Sequence, residues 1–300
     1  MLQKFNEKNR NLLININGKL LHRDKAGISP FDSAVQGGDA VWEGLRVYDG
    51  KIFRLTRHLD RLRSSALALA FAEIPSAETI TGEIKRTLEA NDMRDNAHIR
   101  LTLTRGVKLT SGMDPRLNTA GATLIVLAEH KEPVYDKSGL SLITSSVRRP
   151  SPDVLDPKIH HCNLIQSILA KIEANHAGAD DALMLDSRGF VAETNATHLF
   201  IVEDGLVITS RLVACPEGIT REVVLGLCSE NNIPHMVRDF SLTEVYRAGE
   251  MFCTGTMGEL APVTQVDGRT IGTGEIGPKT QRLAKFFDAY VAAEAEPVLD

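Results

Sequence analysis

The stretch AHIRLTLTRG, close to residue 100, alternates strictly between apolar and polar residues. In an extended chain Ile99, Leu101 and Leu103 fall on one side, and the polar residues fall on the other. This period of two predicts a β-strand with one face against a hydrophobic core. Short apolar runs joined at Asn17-Gly18 and at Asp49-Gly50 predict two hairpins in the same half of the chain.

Apolar residues at helical spacing lie between the predicted strands. The stretch HLDRLRSSALALAF predicts a helix from His58, and Ser76 opens a second helix in an imperfect capping box. In the second half of the chain, strands mix with helices that are predicted to start at Asn163, Thr220 and Pro278. Helices and strands that mix in this way indicate an α+β fold.

A polar stretch divides the two halves. KEPVYDKSG follows the apolar strand ATLIVLAEH and carries Pro133, which is typical of a linker. We therefore predict an N-terminal domain of residues 1–128, a linker of residues 129–139 and a C-terminal domain of residues 140–300.

Composition excludes several classes of protein. With 43% hydrophobic and 24% charged residues, the chain of 300 residues has a globular profile. Its net charge of −5, without a basic run, gives no reason to expect nucleic acid or a membrane surface as partner. No apolar run approaches the roughly 20 residues of a membrane span, and the start of the chain lacks a secretory signal. The four cysteines form no CxxC pair, so we expect a cytoplasmic location and no metal site.

Two backbone motifs in the second half are candidates for binding an anion. Gly218, Ile219 and Thr220 end a Pro-Gly turn and open a helix, whose first N–H groups suit a phosphate. The alternative is a helix that is simply well capped. The stretch CTGTMGE follows a predicted strand, and its small residues let a ligand approach the backbone closely. The alternative there is a tight turn.

Two charged side chains are further candidates. Glu193 lies between an apolar strand and a polar turn, where it could pair with a ring N–H or a cation, or be a solvated capping residue. Arg61 lies on the first predicted helix, where it could reach inward or form a surface salt bridge.

The order of these motifs resembles the class IV, fold-type IV pyridoxal-phosphate aminotransferases. That family includes branched-chain and D-amino-acid aminotransferases and aminodeoxychorismate lyase. The resemblance runs through QGGDAVWEGLRVY, RHLDRL, HIRLTLTRG, ETNATHLF, PEGITRE and FCTGTMGELAPV, and it covers almost the whole chain. It implies a two-domain α+β fold of the D-amino-acid aminotransferase type, with pyridoxal 5′-phosphate in a cleft between the domains. It also implies a homodimer.

The resemblance assigns roles to individual residues. Glu193 should keep the pyridine nitrogen protonated, so that the ring acts as an electron sink. The residues that it implies for the coenzyme phosphate, with the turn glycine beside them, are Arg61, Gly218, Ile219, Thr220 and Thr256. The residues that it implies for the substrate are Trp42, Arg46, Tyr48, His98, Arg100, Met257 and Gly258, the last two through backbone N–H groups.

The position of the essential lysine is the main departure. A transaminase needs a primary amine that forms a Schiff base with the coenzyme and moves a proton. The register of the D-amino-acid branch places His160 there, the register of the branched-chain branch places Ile159 there, and neither places Lys158 there. An extended segment would put Lys158 and His160 on one face, a bulge would have the same effect, or the lysine is missing. The other two departures are His198 in place of Asn, and Thr194 in place of a small residue.

The sequence thus predicts a transaminase that moves an amino group between a small, possibly branched-chain, amino acid and a 2-oxo acid. Lys158 is the candidate for the Schiff base, and His160 stands at the family's lysine position. Two alternatives remain open: a lyase of the same fold, and a lysine-free binding protein without catalysis. His160 and His161 do not suit a shared metal ion, because adjacent strand residues face opposite ways.

Overall fold

The computed structural model describes residues 3–135 and 137–299, so Met1, Leu2, Asp136 in the predicted linker and Asp300 lie outside it. The chain forms two compact units. The N-unit comprises Leu2–Glu132, Ile159–Asn163 and Glu294–Asp300, and the C-unit comprises Pro133–Lys158 and Leu164–Ala293. Two short segments from the second half therefore belong to the N-unit, whereas the predicted C-terminal domain is continuous.

The N-unit is built on one antiparallel sheet in which β3 and β5 are central. The strand order is β16-β4-β3-β5-β6-β1-β2. Its strands are β1 (Leu13–Ile16), β2 (Lys19–His22), β3 (Ala40–Tyr48), β4 (Lys51–Phe53), β5 (Ala97–Thr104), β6 (Thr123–His130) and β16 (Ala295–Pro297). Its helices are α1 (Ser33–Gly37), α2 (Leu55–Ala68) and α3 (Ala77–Ala90), with 3-10 turns at Glu7–Asn11 and Pro115–Leu117.

The predicted core strand is confirmed. Ile99, Leu101 and Leu103 of β5 are fully buried, and α2 packs on β3 while α3 packs on β1 and β6. Both predicted hairpins are present, with positive φ at both residues of Asn17-Gly18 and of Asp49-Gly50. That geometry matches the right-handed twist of the strands, which explains the Asn-Gly and Asp-Gly pairs.

The segment Ile159–Asn163 lies along the edge of β3. The N–H of Trp42 donates to the carbonyl of His160 at 3.0 Å, and the N–H of Cys162 donates to the carbonyl of Ala40 at 2.9 Å. These bonds form an antiparallel bridge between Val41 and His161. The pairing explains why this short segment belongs to the N-unit.

The residues before Ile159 do not form the extended segment that was one alternative for placing Lys158 and His160 on one face. Residues Pro152–Leu155 form a short helix, α4, because Pro152 at its first turn has the fixed φ that suits that position. A carboxylate oxygen of Asp156 then accepts the N–H of Lys158 at 3.0 Å and closes a turn. Lys158 and His160 therefore do not share the face of an extended strand.

The described part of the C-unit contains a mixed sheet of nine strands. The strand order is β12-β11-β10-β13-β14-β7-β8-β9, and β15 pairs with β14. The strands are β7 (Leu140–Thr144), β8 (Asp181–Leu185), β9 (Val191–Thr194), β10 (His198–Glu203), β11 (Leu206–Thr209), β12 (His235–Val237), β13 (Glu250–Gly255), β14 (Glu259–Val266) and β15 (Arg269–Thr270).

Five helices accompany this sheet in the described residues, and three of them start close to the predicted positions. They are α4 (Pro152–Leu155), α5 (Ile165–His176), α6 (Ile219–Glu230), α7 (Leu242–Arg247) and α8 (Pro278–Glu294). Helix α6 packs against β13, which brings two of the predicted motifs to neighbouring elements. Within residues 3–135 and 137–299, no helix is both long and apolar enough to cross a membrane.

Two glycine substitutions in the N-unit are expected to have opposite effects on stability. Gly106 has φ +105°, and an added Cβ would lie 1.8 Å from the carbonyl oxygen of Gly121. Gly106→Ala should therefore lower the free energy of unfolding by about 1–3 kcal/mol. Gly82 lies inside α3 with nothing within 4 Å of an added Cβ, so Gly82→Ala should raise it by about 1 kcal/mol.

Thermal unfolding followed by tryptophan fluorescence measures both effects, because Trp42 is the sole tryptophan and belongs to the N-unit. A wild-type midpoint for Gly106→Ala would contradict the close backbone approach.

Candidate functional site

A buried carboxylate joins three parts of the N-unit. Glu43 is fully buried. Its Oε1 accepts from Nε of Arg61 at 2.8 Å, and its Oε2 accepts from Nη2 of Arg61 and from Nδ1 of His58, both at 2.7 Å. Nδ1 of His160 lies 3.2 Å from Oε1. Four donors saturate the acceptor positions of one carboxylate.

These donors keep Glu43 ionised. Burial by itself raises its pKa, but the charge of Arg61 and the ring of His160 outweigh burial and hold the pKa well below its usual value. Arg61, predicted to bind a phosphate, is 11% exposed and forms this bidentate pair. The alternative for Arg61 was a surface salt bridge, and the structure shows a salt bridge that is buried. The phosphate role of Arg61 stays a prediction.

Two of the predicted residues, His160 and Arg100, contact the indole ring of Trp42. The ring of His160 stacks on it with centroids 4.4 Å apart, and Cζ of Arg100 lies 3.4 Å from its centroid. Nε1 of Trp42 donates to the carbonyl of His161 at 3.1 Å. Nη2 of Arg100 lies 3.9 Å from Sγ of Cys162. The edge segment and the sheet therefore form one polar surface around Trp42.

The other substrate-side residues of the N-unit lie further along β3 and β5. Arg46 is directly opposite His98, is only 3% exposed and donates to the carbonyl of Lys131 at 3.2 Å. Its Cζ lies 5.6 Å from the ring centroid of Tyr48. Burial first, and then the charges of Lys131 and Arg100, lower the pKa of His98 to about 3. His98 is therefore a neutral ring at physiological pH, and the substrate roles of these residues stay predictions.

In the C-unit, α6 begins where the sequence placed an anion site. Gly218 is its N-cap residue, and Ile219 and Thr220 form the first helical positions. The ring of His198 lies against Gly218, because an added Cβ would be 2.3 Å from its Cδ2. His198 is opposite Thr254 in the sheet. This chain of contacts brings the start of α6 close to the end of β13.

The turn after β13 carries the other predicted backbone donors. Thr256, Met257 and Gly258 form a turn between β13 and β14. The N–H of Gly258 donates to the carbonyl of Gly255 at 3.3 Å, and the ring of Tyr135 packs where a Cβ would stand. The predicted donation from Gly258 to a substrate carboxylate therefore competes with a bond inside the turn. It stays a prediction, as do the roles of Thr256 and Met257.

Glu193 pairs with a cation that sequence reasoning missed. Its Oε1 lies 2.7 Å from Nη2 of Arg149, and both side chains are nearly buried. Nε of Arg149 also donates to the carbonyl of Ala214 at 3.3 Å. Burial first, and then the charge of Glu193, raise the pKa of Cys215 to about 12, so this thiol stays protonated. The sequence offers one signal, the pair Arg148-Arg149, but nothing local marks the second arginine as buried.

One of the departures from the family pattern, Thr194, has a local explanation. Oγ1 of Thr194 accepts the N–H groups of Ala196 and Thr197 at 3.1 Å and 2.8 Å. The side chain of Thr194 therefore closes the turn that follows Glu193. The side chain of Lys158 is 41% exposed, and its Nζ lies 4.0 Å from a carboxylate oxygen of Asp156. Lys158 belongs to the C-unit, whereas His160 belongs to the N-unit.

The family model described as Amino-transferase class IV matches residues 40–266. The chain belongs to this family. It is 52% identical over 292 residues to branched-chain-amino-acid aminotransferase-like protein 2 of Arabidopsis thaliana, an alignment of 97% of this chain and 52% of that protein. It is 34% identical over 278 residues to the branched-chain-amino-acid aminotransferase of Pseudomonas aeruginosa, with 86% of each chain covered.

Comparison with a solved structure shows that the chain also shares the fold of a branched-chain aminotransferase. The T.th. branched-chain amino acid aminotransferase, complexed with N-(5′-phosphopyridoxyl)-L-glutamate, superposes with a TM-score of 0.90. It is 32% identical, with 97% of this chain and 99% of that chain covered. The predicted class IV resemblance and the predicted α+β fold are confirmed. The chain spans about half the length of its Arabidopsis relative.

His98→Gln is expected to make the N-unit less sensitive to acid. The unfolded chain protonates His98 below about pH 6.5, whereas the folded chain does so only near pH 3. Between these values the unfolded state binds the extra proton, so stability is lost as the pH falls. The loss between pH 6.5 and pH 5 is on the order of 2 kcal/mol.

Thermal midpoints at these two pH values, followed by Trp42 fluorescence, should therefore lie closer together in His98→Gln than in wild type. His22→Gln, in the β2 hairpin, is the control and should keep the wild-type difference. An unchanged difference in His98→Gln would contradict a buried neutral ring.

Arg149→Leu should destabilise the C-unit by about 3–5 kcal/mol, because it leaves the carboxylate of Glu193 buried without its cation. Adding Glu193→Gln removes that charge and should restore at least half of the loss. Arg148→Leu is the matched control, since Nη1 of Arg148 donates to the backbone carbonyls of Ser145 and Ser146.

Urea unfolding followed by far-ultraviolet circular dichroism measures all four proteins. Equal losses for Arg149→Leu and the double variant would show that Arg149 acts through packing and not through its charge.

Proposed function

We propose that the chain is a pyridoxal-phosphate-dependent aminotransferase that moves an amino group between a small, branched-chain type of amino acid and a 2-oxo acid. The observation that carries this proposal is the superposition, over 97% of the chain, with a branched-chain aminotransferase solved in complex with a phosphopyridoxyl–glutamate adduct. The names of the Arabidopsis and Pseudomonas relatives support the same substrate class.

The C-unit carries a donor set that fits this coenzyme. The first N–H groups of α6 have no acceptor within the helix, and the positive end of its dipole favours a phosphate there. The hydroxyls of Thr220 and Thr256 are the side-chain donors that we assign to the same phosphate. The carboxylate of Glu193 suits a protonated pyridine nitrogen, because a carboxylate oxygen accepts the hydrogen bond of a ring N–H. When bound, the coenzyme supplies a ring that delocalises the electron pair of a broken bond.

The N-unit carries a surface that suits an amino acid. Arg100 lies over the Trp42 ring, where its guanidinium can bind a carboxylate while the indole contacts an apolar side chain. Burial lowers the pKa of Arg100 from its usual value. The usual pKa of a guanidinium is so high that the group remains charged. We assign Arg100 to the substrate carboxylate and Trp42 to its side chain.

Lys158 remains our candidate for the covalent amine. It is the lysine next to the family position in sequence, and a carboxylate oxygen of Asp156 lies 4.0 Å from its ammonium. His160, at the family position, cannot form a Schiff base because an imidazole is not a primary amine.

We further propose a cytoplasmic homodimer. Helix α5 exposes four large apolar side chains that a second copy can cover: Ile165, Ile168, Leu169 and Ile172. The four cysteines are all free thiols, which favours a reducing compartment.

Purified protein with pyridoxal 5′-phosphate is expected to transfer the amino group of leucine or valine to 2-oxoglutarate. Product should form only when the 2-oxo acid is supplied, whereas a lyase of the same fold would form product without it. Glu193→Gln should bind the coenzyme within about tenfold of wild type and lower kcat by about 10²-fold or more. No transfer with any small amino acid would refute the function.

Borohydride reduction and peptide mapping of the same protein test the amine. A reduced coenzyme adduct on Lys158 supports the assignment. This adduct should be absent in Lys158→Ala and retained in the control Lys171→Ala. Label on another lysine removes Lys158, and active protein without label indicates that the coenzyme is held without a covalent bond.

A further inference from the structure

The ring of His160 is fixed from several sides. The backbone N–H of this residue donates to Oγ of Ser65 at 3.0 Å, and its carbonyl accepts from Trp42 at 3.0 Å. Its ring stacks on Trp42 and has Nδ1 3.2 Å from Oε1 of Glu43. The side chain is still 17% exposed. A ring that is held in this way has one orientation, and part of it faces away from the protein.

The contact with Glu43 determines which ring nitrogen carries the hydrogen. Glu43 is ionised, because Arg61 and its other donors hold its pKa well below the usual value. An ionised carboxylate only accepts hydrogen bonds, so Nδ1 of His160 must donate. The ring itself is neutral, since burial first and the charge of Arg61 second lower its pKa, and Glu43 offsets them only in part. In a neutral ring whose Nδ1 carries the hydrogen, Nε2 is the basic nitrogen.

The arrangement is that of an imidazole base oriented by a carboxylate. When Nε2 takes up a proton, the new positive charge forms beside Glu43. The charged or titratable side chains next to the ring are Glu43 and Arg61, and His58 lies on the other side of the Glu43 carboxylate. Arg100, which we assign to the substrate carboxylate, contacts the same Trp42 ring as His160.

We propose that His160 is the general base of the amino-transfer reaction, and that Glu43 is the positioning residue that holds the ring hydrogen on Nδ1 and leaves Nε2 as the proton acceptor. The C–H bond at the substrate α-carbon breaks, the proton goes to Nε2, and the ring becomes imidazolium. Held by the start of α6, Thr220, Thr256 and Glu193, pyridoxal phosphate would supply the ring that takes up the electron pair left at the α-carbon. This assignment rests on the proposed function, and it does not depend on which residue, if any, supplies the covalent amine.

The first test compares variants of the holoenzyme by exchange of the substrate α-proton with solvent deuterium, measured by NMR. His160→Asn keeps an N–H donor near the position of Nδ1 but has no base, so exchange and kcat should fall about 10²- to 10⁴-fold. Binding of pyridoxal phosphate should change by less than about fivefold. His161→Asn is the matched control with exchange near wild type, since the ring of His161 instead accepts the N–H of Asn163.

The outcomes of this test separate the two proposals. Wild type without exchange on any small amino acid refutes the proposed function, and this assignment with it. Active wild type with His160→Asn within threefold of it refutes the role of His160 alone. If His160→Asn does not fold, His160→Gln is measured by the same criteria.

The second test needs no turnover. Protonation of a stacked imidazole quenches an indole, and Trp42 is the sole tryptophan of the chain. The fluorescence of the coenzyme-free protein should therefore titrate with a midpoint below about pH 6.5, the ordinary value for histidine. The transition should be absent in His160→Asn and should move to lower pH in Glu43→Gln. A midpoint above pH 7, or one that is unchanged in Glu43→Gln, refutes the tautomer assignment.

Discussion

The carboxylate of Glu43 is the constraint on which the N-unit site depends. Glu43 is opposite Leu101 in the β3–β5 pair, on the face that is otherwise apolar core. A buried charge there costs several kcal/mol unless its lone pairs are satisfied. Three N–H groups of Arg61 and His58 on α2 and one of His160 on the edge segment satisfy it. The same bonds that offset the burial of Glu43 therefore fix α2, β3 and the segment that carries His160.

This pairing also bears on Arg61. A guanidinium carries five N–H donors in a planar fork, and the bidentate pair with Glu43 uses two of them. The pair orients the fork without excluding a second acceptor. The positive charge of Arg61 nevertheless has a partner already, and its field is reduced by Glu43. In the C-unit, Arg149 and Glu193 form a comparable nearly buried pair. Each unit thus pairs a nearly buried carboxylate with an arginine of the same unit.

The sequence predicted features that depend on near neighbours, and it missed those that depend on distant ones. Strict alternation located β5, and Asn17-Gly18 located a hairpin, because period and turn chemistry are local properties. The bond between Glu43 and His160 joins residues 117 positions apart, and no periodicity carries that information. The turn at Lys158 was missed for a different reason. The one proline of DVLDPK, Pro157, favours an extended residue before it, but Pro152 upstream begins a short helix and Asp156 closes the turn at Lys158.

In the register of the D-amino-acid branch, His160 stands at the family's lysine position, and the two side chains differ in the chemistry that they can perform. A lysine there would supply a primary amine, which captures a carbonyl group, and a base, which moves a proton. An imidazole cannot do the first, because neither ring nitrogen can form a double bond to the carbonyl carbon without disrupting the ring. It can do the second, and near neutral pH it does so well when a carboxylate fixes its tautomer. Glu43, Arg61 and Trp42 provide that tautomer, a neutral ring and a fixed plane. The surroundings of His160 are thus suited to proton transfer, and covalent capture requires an amine from another residue.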